Sequence, residues 1–299
     1  MELRQLKYFV EAVRQKNFTR AAEKMLVSQP ALSKMIKSLE DELGVPLIIH
    51  NYKGLELTDA GHSVYRHAVQ MIGIEEDILS SVIDVKGLSS GTIKIGIPPI
   101  IGSLFFPKVL AAFHSAHPNI KIHITEFGAK KVVESVLAGE IEMGVAVLPV
   151  DDESFRTYPI VDEEMVLLVN ESHPLASSSE VELSQLSSEN FIFYSEDFAL
   201  YELMREYCIN AGFEPNILFQ SSQWDFMSEM AAAGIGVTIL PQSICTRITS
   251  SQIRKIPIQN PAIPWRLAII IAKDKYTTFA GRAFIDFILG MKDRLRMGE

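Results

Sequence analysis

Apolar positions at the start of the chain recur with a helical period. Leu3, Leu6, Phe9, Val10 and Val13 share one face of a helix predicted from about Leu3 to Gln15. After a polar break at Lys16-Asn17, the stretch Thr19 to Met25 carries Ala21, Ala22 and Met25, side chains small or flexible enough for another helix to pack closely, with Asn17 or Thr19 as its cap. Val27-Ser28 then turns the chain into a third helix. Ser28 caps it, Pro30 falls in the first turn where a missing N–H does no harm, Leu32, Ile36, Leu39 and Leu43 form its inner stripe, and Gly44 ends it. Its opposite face shows Gln29, Ser33, Lys34, Lys37 and Ser38, with acids only from Glu40 onward. A groove-reading helix needs that arrangement, amides and hydroxyls for base edges and lysines for phosphates. For any one lysine a solvated helix face is the competing reading; the helix-turn-helix spacing favours the groove.

The period then shortens. LIIHNYKGLEL (47–57) reads as a hairpin with its turn near Tyr52-Lys53-Gly54, a wing whose clear cation is Lys53. Thr58 opens a helix to about Lys86, with Asp59 at the positive dipole end and Gly87 as terminator, roughly 43 Å long at 1.5 Å per residue. Val64, Ala68, Met71, Ile78, Val82 and Val85 follow a 4-3 spacing interrupted at Glu75, the pattern of a helix that pairs with another. Packing against its own domain is the alternative.

From Thr92 the texture alternates between strand-like and helical runs. TIKIGI, IKIHITEF and MGVAVL form a first set of strands, with helices near Phe106 to His117 and Val132 to Ala138; MVLLV, FIFY, ILFQ and VTIL form a second, and RLAIII (266–271) precedes a helix from about Thr278 to Leu295. The expected class is α/β with mostly parallel sheets, behind a mostly helical N-terminal winged helix-turn-helix; binding sites then lie at the carboxyl ends of strands. The domain expectation is 1–58 for the winged unit, 59–87 for the linking helix and 88–299 for the α/β part, divided into about 92–161 plus 266–299 and about 162–265.

Charge sharpens this picture. The net charge is −9, yet residues 1 to 38 hold eight Lys or Arg against three Glu, a balance of +5, leaving −14 for the rest. The basic end is where a polyanion binds. The longest apolar run, MGVAVLPV (143–150), is too short to span a bilayer or serve as an export signal, so a cytoplasmic protein is expected, with no membrane partner. Cys208 and Cys245 form no CxxC pair and sit in apolar helical contexts, which argues for inert thiols over a redox switch, a disulfide or a zinc site.

The run FTRAAEKMLVSQPALSKMIKSLEDELGVPLI followed by LTDAG resembles the LysR-type transcriptional regulators, and the likeness continues through IKIGI, HPNIKI, LAGEIEMGV and AGIGVTILP. It implies a sequence-specific DNA-binding regulator controlled by a small-molecule effector, a dimer or tetramer built on the long helix, and a sensor of two α/β subdomains like those of periplasmic binding proteins, crossed near Val161 and Pro264. Operator DNA and RNA polymerase are the implied macromolecular partners, and no cofactor, metal or catalytic residue is called for. The DNA-contacting set carried over is Phe18, Thr19, Arg20, Ser28, Gln29, Pro30, Ser33, Lys34, Lys37 and Lys53. Where the family commonly has Leu-Phe-x-Arg entering the wing, this chain has Leu47-Ile48-Ile49-His50, which removes a cation there.

The same resemblance places the effector between the subdomains, against Ile100, Ile101, Gly102, Ser103, Gly128, Ala129, Val147, Leu148, Glu196, Phe198 and Thr238. The stretch Pro98 to Ser103 reads as a loop opening a helix, with Ser103 and nearby N–H groups facing the crevice and able to hold an anion. Positions that are polar or cationic in carboxylate-binding relatives are Ile100, Ala129 and Val147 here, and Glu196 and Asp197 add negative charge, so a strongly anionic effector is poorly supported. An enzyme or solute-binding protein with an incidental DNA-binding domain is the rival reading. No nucleophile elbow, P-loop, GxGxxG or metal spacing supports an enzyme; GIG (234–236) lacks the rest of a dinucleotide fingerprint, and the seven histidines are scattered.

Overall fold

The first three apolar stripes become three helices. In the computed structural model, which describes residues 1–51, 54–85, 90–196 and 198–291, these are α1 (Leu3–Gln15), α2 (Phe18–Lys24) and α3 (Gln29–Leu43). Within those spans the side chains of His50, Asn51, Glu76, Asp77, Ser80, Ser81, Ile83, Asp84, Val85 and Ser103 lie outside the described set. Phe9, Ala21, Leu32 and Leu39 meet at the centre of this unit, wholly buried. The caps decide where each helix starts and stops. Asn17 accepts the Arg20 N–H at 3.0 Å, Ser28 accepts the Ala31 N–H at 3.3 Å, and Gly44 closes α3 in the left-handed region at φ 71°.

β1 (Ile48–Asn51) pairs antiparallel with β2 (Gly54–Leu57); Tyr52 and Lys53 of the expected turn lie outside the described residues. Thr58 then ties the hairpin to α4 (Asp59–Val85): its hydroxyl donates to the Pro46 carbonyl at 2.8 Å and accepts the Gly61 N–H at 2.9 Å. A Cβ on Gly61 would fall 2.0 Å from the Leu47 carbonyl oxygen, which is why only glycine suits the LTDAG segment. Gly87, expected to end α4, lies outside the described residues.

The second compact unit holds most of the remaining chain. Its elements are β3 (Gly91–Ile97), α5 (Pro99–Leu104), α6 (Phe106–Ala116), β4 (Ile120–Glu126), α7 (Ala129–Ala138), β5 (Met143–Val147), β6 (Phe155–Asn170), β7 (Val181–Glu182), β8 (Asn190–Tyr194), α8 (Ala199–Asn210), β9 (Asn216–Ser221), α9 (Trp224–Ala232), β10 (Thr238–Pro241), α10 (Gln242–Cys245), β11 (Ile253–Gln259), β12 (Pro264–Ala272) and α11 (Phe279–Gly290). The strands run in the order β4-β3-β5-β12-β6-β11-β7, with β10 also on β6 and β8-β9 as a separate pair.

The expectation of mostly parallel sheets needs correcting. β3 is parallel to β4 and β5, and β8 to β9, but β12 is antiparallel to β5 and β6, and β10 and β11 are antiparallel to β6. The cause is β6, whose 16 residues pass through both halves of the unit without a helix between. Its first part, residues 155–164, pairs with β12, and its last part, 165–170, pairs with β10 and β11. Antiparallel pairing along this one strand is therefore shared by both halves. The two halves therefore meet where β12 begins, at Pro264 beside Glu164.

Tight packing fixes the cleft side of the first half. A Cβ on Gly144 of β5 would lie 2.4 Å from Val132 Cγ1 of α7, so the missing side chain lets α7 settle onto the sheet. That seats the start of α7, at Ala129, near the end of β5, at Val147.

Candidate functional site

Two regions carry candidate chemistry, one in each unit. In the first, α3 exposes Gln29, Pro30, Lys34 and Lys37, with Ser33 half-buried, and α2 exposes Thr19 and Arg20. The caps orient this surface, because Ser28 and Asn17 fix where the two helices start. Lys37 is not a free cation: it pairs with Asp41 one turn on, at 3.2 Å. Phe18 of the expected contact set is half-buried, with its ring packed against the core of this unit. Lys53 lies outside the described residues.

Below this surface a buried carboxylate is neutralised. Glu11 accepts from Lys24 at 2.8 Å and from Gln15 at 2.7 Å; burial pushes its pKa up, and these hydrogen bonds with the Lys24 and Arg14 charges outweigh that and hold it below the ordinary value.

On α4 the expected stripe divides. Val64 and Ala68 pack into the core of their own unit and are corrected from interface to core, while Met71, Ile78 and Val82 remain 44, 59 and 49% exposed. Ile74 and Leu79, which periodicity alone did not select, are exposed too, at 52 and 61%. Glu75, the apparent interruption, reaches Lys7 of α1 at 2.5 Å, so it belongs to the inward face. The Val85 side chain lies outside the described residues.

In the second unit a small apolar cavity, open to solvent, lies where the two halves face each other. Ile100, Ile101, Gly128, Ala129, Val147 and Phe198 of the expected effector set line it together. Pro98, Ala199, Leu200 and Trp265 complete the wall. Polar ties join the halves: the Arg247 guanidinium donates to the Leu104 carbonyl at 2.6 Å, and Lys130 pairs with Glu202 at 3.7 Å.

The other expected residues stand elsewhere. Thr238 is fully buried on β10 beside Leu168 of β6, four residues past the point where β12 ends its pairing, or roughly 13 Å along a strand. Glu196 is exposed, and neither it, Leu148 nor Gly102 is among the lining residues. The stretch 98–103 is no loop: α5 already starts at Pro99, the Gly102 N–H is bonded to the Pro98 carbonyl at 3.0 Å, and two successive prolines contribute no N–H at all. The two prolines shorten the expected row of donors at the crevice, which begins only at Ile100. The Ser103 side chain lies outside the described residues.

A family model described as "LysR substrate binding domain" matches residues 86–292, and one described as "Bacterial regulatory helix-turn-helix protein, lysR family" matches residues 3–62. The chain belongs to the LysR family. It is a DNA-binding transcription regulator with an effector-binding domain. Among LysR relatives, the chain is 44% identical over 286 residues to the uncharacterized HTH-type transcriptional regulator YwbI of Bacillus subtilis (strain 168), covering 96% of this chain and 95% of that one. It is 32% identical to the HTH-type transcriptional regulator BudR of Raoultella terrigena, over 90% and 94% of the two chains. Among solved structures, a full-length OxyR variant from Pseudomonas aeruginosa matches with a TM-score of 0.78 at 25% identity, over 96% of this chain and 94% of that one.

Both cysteines of this LysR regulator are buried, and burial pushes each thiol up to about 12. Among the described residues no group of three or more His, Cys, Asp or Glu is placed to hold a metal ion, and no helix is long and apolar enough to cross a membrane.

Proposed function

We propose that the protein acts in the cytoplasm, regulating rather than catalysing, and that it reads operator DNA with the exposed start of α3. Gln29 and Ser33 face base edges and Lys34 faces phosphate, with Thr19 and Arg20 of α2 beside them. Two copies associate through the outer face of α4, so that paired α3 helices meet half-sites about one helical turn, or a multiple, apart. RNA polymerase is the partner through which bound protein changes transcription.

A small effector occupies the cavity between the halves of the second unit and sets the regulatory state. The observation supporting this is the convergence of six residues from four separate segments, 100–101, 128–129, 147 and 198, on one apolar pocket. Val147→Trp tests it, because an indole at that position fills the cavity. Operator binding in gel shifts should persist while the ligand-dependent change is lost. A Val147→Trp protein with unaltered ligand affinity moves the site elsewhere.

A further inference from the structure

We infer that Glu23 and Leu26, at the end of α2, form a contact for RNA polymerase bound on the adjoining DNA; the inference rests on reading polymerase as the partner of the bound regulator. Leu26 is 92% exposed, well above Leu79 of α4, which at 61% is the next among the described large hydrophobic residues. A lone apolar side chain on a surface needs no partner. This one, however, also stands at φ 56°, in the left-handed region that suits Gly or Asn and disfavours a leucine. Neither burial nor backbone preference within its own unit accounts for it.

The neighbouring charge is the second observation. The Leu26 N–H donates to the Glu23 carbonyl at 3.1 Å, which keeps the two residues one turn apart. Residues 1 to 38 hold three acids in a basic stretch: Glu11 is buried and paired with Lys24, Glu2 stands at the start of α1, and Glu23 is exposed with no ion pair among the described residues. An unbalanced carboxylate repels phosphate, so this turn is not fitted to DNA, although it lies on the helix of Thr19 and Arg20 and two residues before Ser28. It flanks the reading surface without matching it.

A protein resting on the neighbouring DNA reaches such a flank, and the surface that complements it carries a basic side chain beside an apolar one. Size favours that occupant over a second copy of the chain. One leucine and one carboxylate cover far less than a stable dimer needs. They suit a transient contact between two proteins already held on one DNA, where each is at high effective concentration for the other.

The test uses full-length protein, DNA from upstream of its own gene and purified RNA polymerase. Leu26→Asn removes the apolar side chain and suits the left-handed backbone, so it should melt no lower than the wild type; Glu23→Gln removes the charge and keeps the shape. Both variants should hold operator affinity within about twofold in gel shifts, while the change that bound wild type makes in polymerase affinity for the promoter, about fivefold or more, should fall by at least about half in each. Operator binding weakened by about fivefold or more in Leu26→Asn overturns the inference in favour of a DNA contact, and weakened self-association in sedimentation overturns it in favour of a second copy. Variants that keep the whole wild-type effect on polymerase overturn the contact and leave the partner standing. A wild type that binds operator and leaves polymerase affinity unchanged overturns the partner, and the contact with it.

Discussion

Replacing Ile78 and Val82 of α4 by Asp should turn the protein into monomers. Met71, Ile74, Ile78, Leu79 and Val82 are each about half exposed, and at 100° per residue they fall within an arc roughly 140° wide. Full burial of such a side chain is worth about 1.5–3 kcal/mol, so covering the exposed half of each yields about 1 kcal/mol, or ~5 per helix and ~10 for a pair. Against an association cost of about 4–15 kcal/mol, this seam is needed and not in surplus. Two Asp per chain remove about 4 kcal/mol of apolar burial per dimer, nearly a thousandfold in dissociation constant before any charge repulsion. Because both positions are turned away from their own unit, circular dichroism should show the helix retained. Sedimentation velocity at micromolar protein should report monomers, and gel shifts on an operator with two half-sites should lose most affinity. A double variant that still sediments as a dimer with the wild-type dissociation constant refutes the reasoning, as does a monomeric wild type.

Lys34→Ala should weaken binding to all DNA sequences and lower the salt slope by about 1, while Lys37→Ala should do less because Asp41 already holds that ammonium; anisotropy titrations over a salt series distinguish them. Gln29→Ala should relax sequence preference by roughly 1–3 kcal/mol in competition with altered operators. Thiol reagents and peroxide should leave operator binding unchanged in folded protein, since Cys208 and Cys245 are buried thiols held protonated; rapid labelling of either by a maleimide would contradict this. Glu163, beside Trp265 on the neighbouring strand, is raised above its ordinary 4.5 by burial despite hydrogen bonds from the Ser243 N–H and hydroxyl. The folded protein therefore keeps that proton to higher pH than the unfolded chain. Its contribution is fully present at low pH and is lost as pH rises from the ordinary value through the raised one, and Glu163→Gln should flatten that slope in thermal melts.

The winged unit was legible because its signals are local. A helix cap, a proline in the first turn and a stripe at helical spacing each act within a few residues, and Asn17, Ser28, Gly44 and Thr58 all perform the capping their types suggest. What failed there was the sharing of one helix between two faces. Val64 and Ala68 have the same spacing as Ile78 and Val82, and only the position of α1 decides that the first pair is core. Similarly Glu75 reads as a break in a stripe until Lys7 is found across from it.

In the α/β unit the buried strands announced themselves and the long one did not. Residues 155–164 of β6 carry Pro159, Asp162, Glu163 and Glu164, which break an apolar run, yet this segment finds a partner in β12 for its whole length. Its neighbour β11 hides behind Pro257 and two cations in the same way. The pocket shows the same limit. Val147, at a strand end, and Ala129, at a helix start, are placed there by the family resemblance, and a sheet brings such ends together. Trp265 is not, for its place in the wall depends on β12 beginning where β6 passes between the halves, a fact of pairing register. Thr238 is carried over by the same resemblance, and its register with Leu168 sets it away from the crossing with its hydroxyl buried.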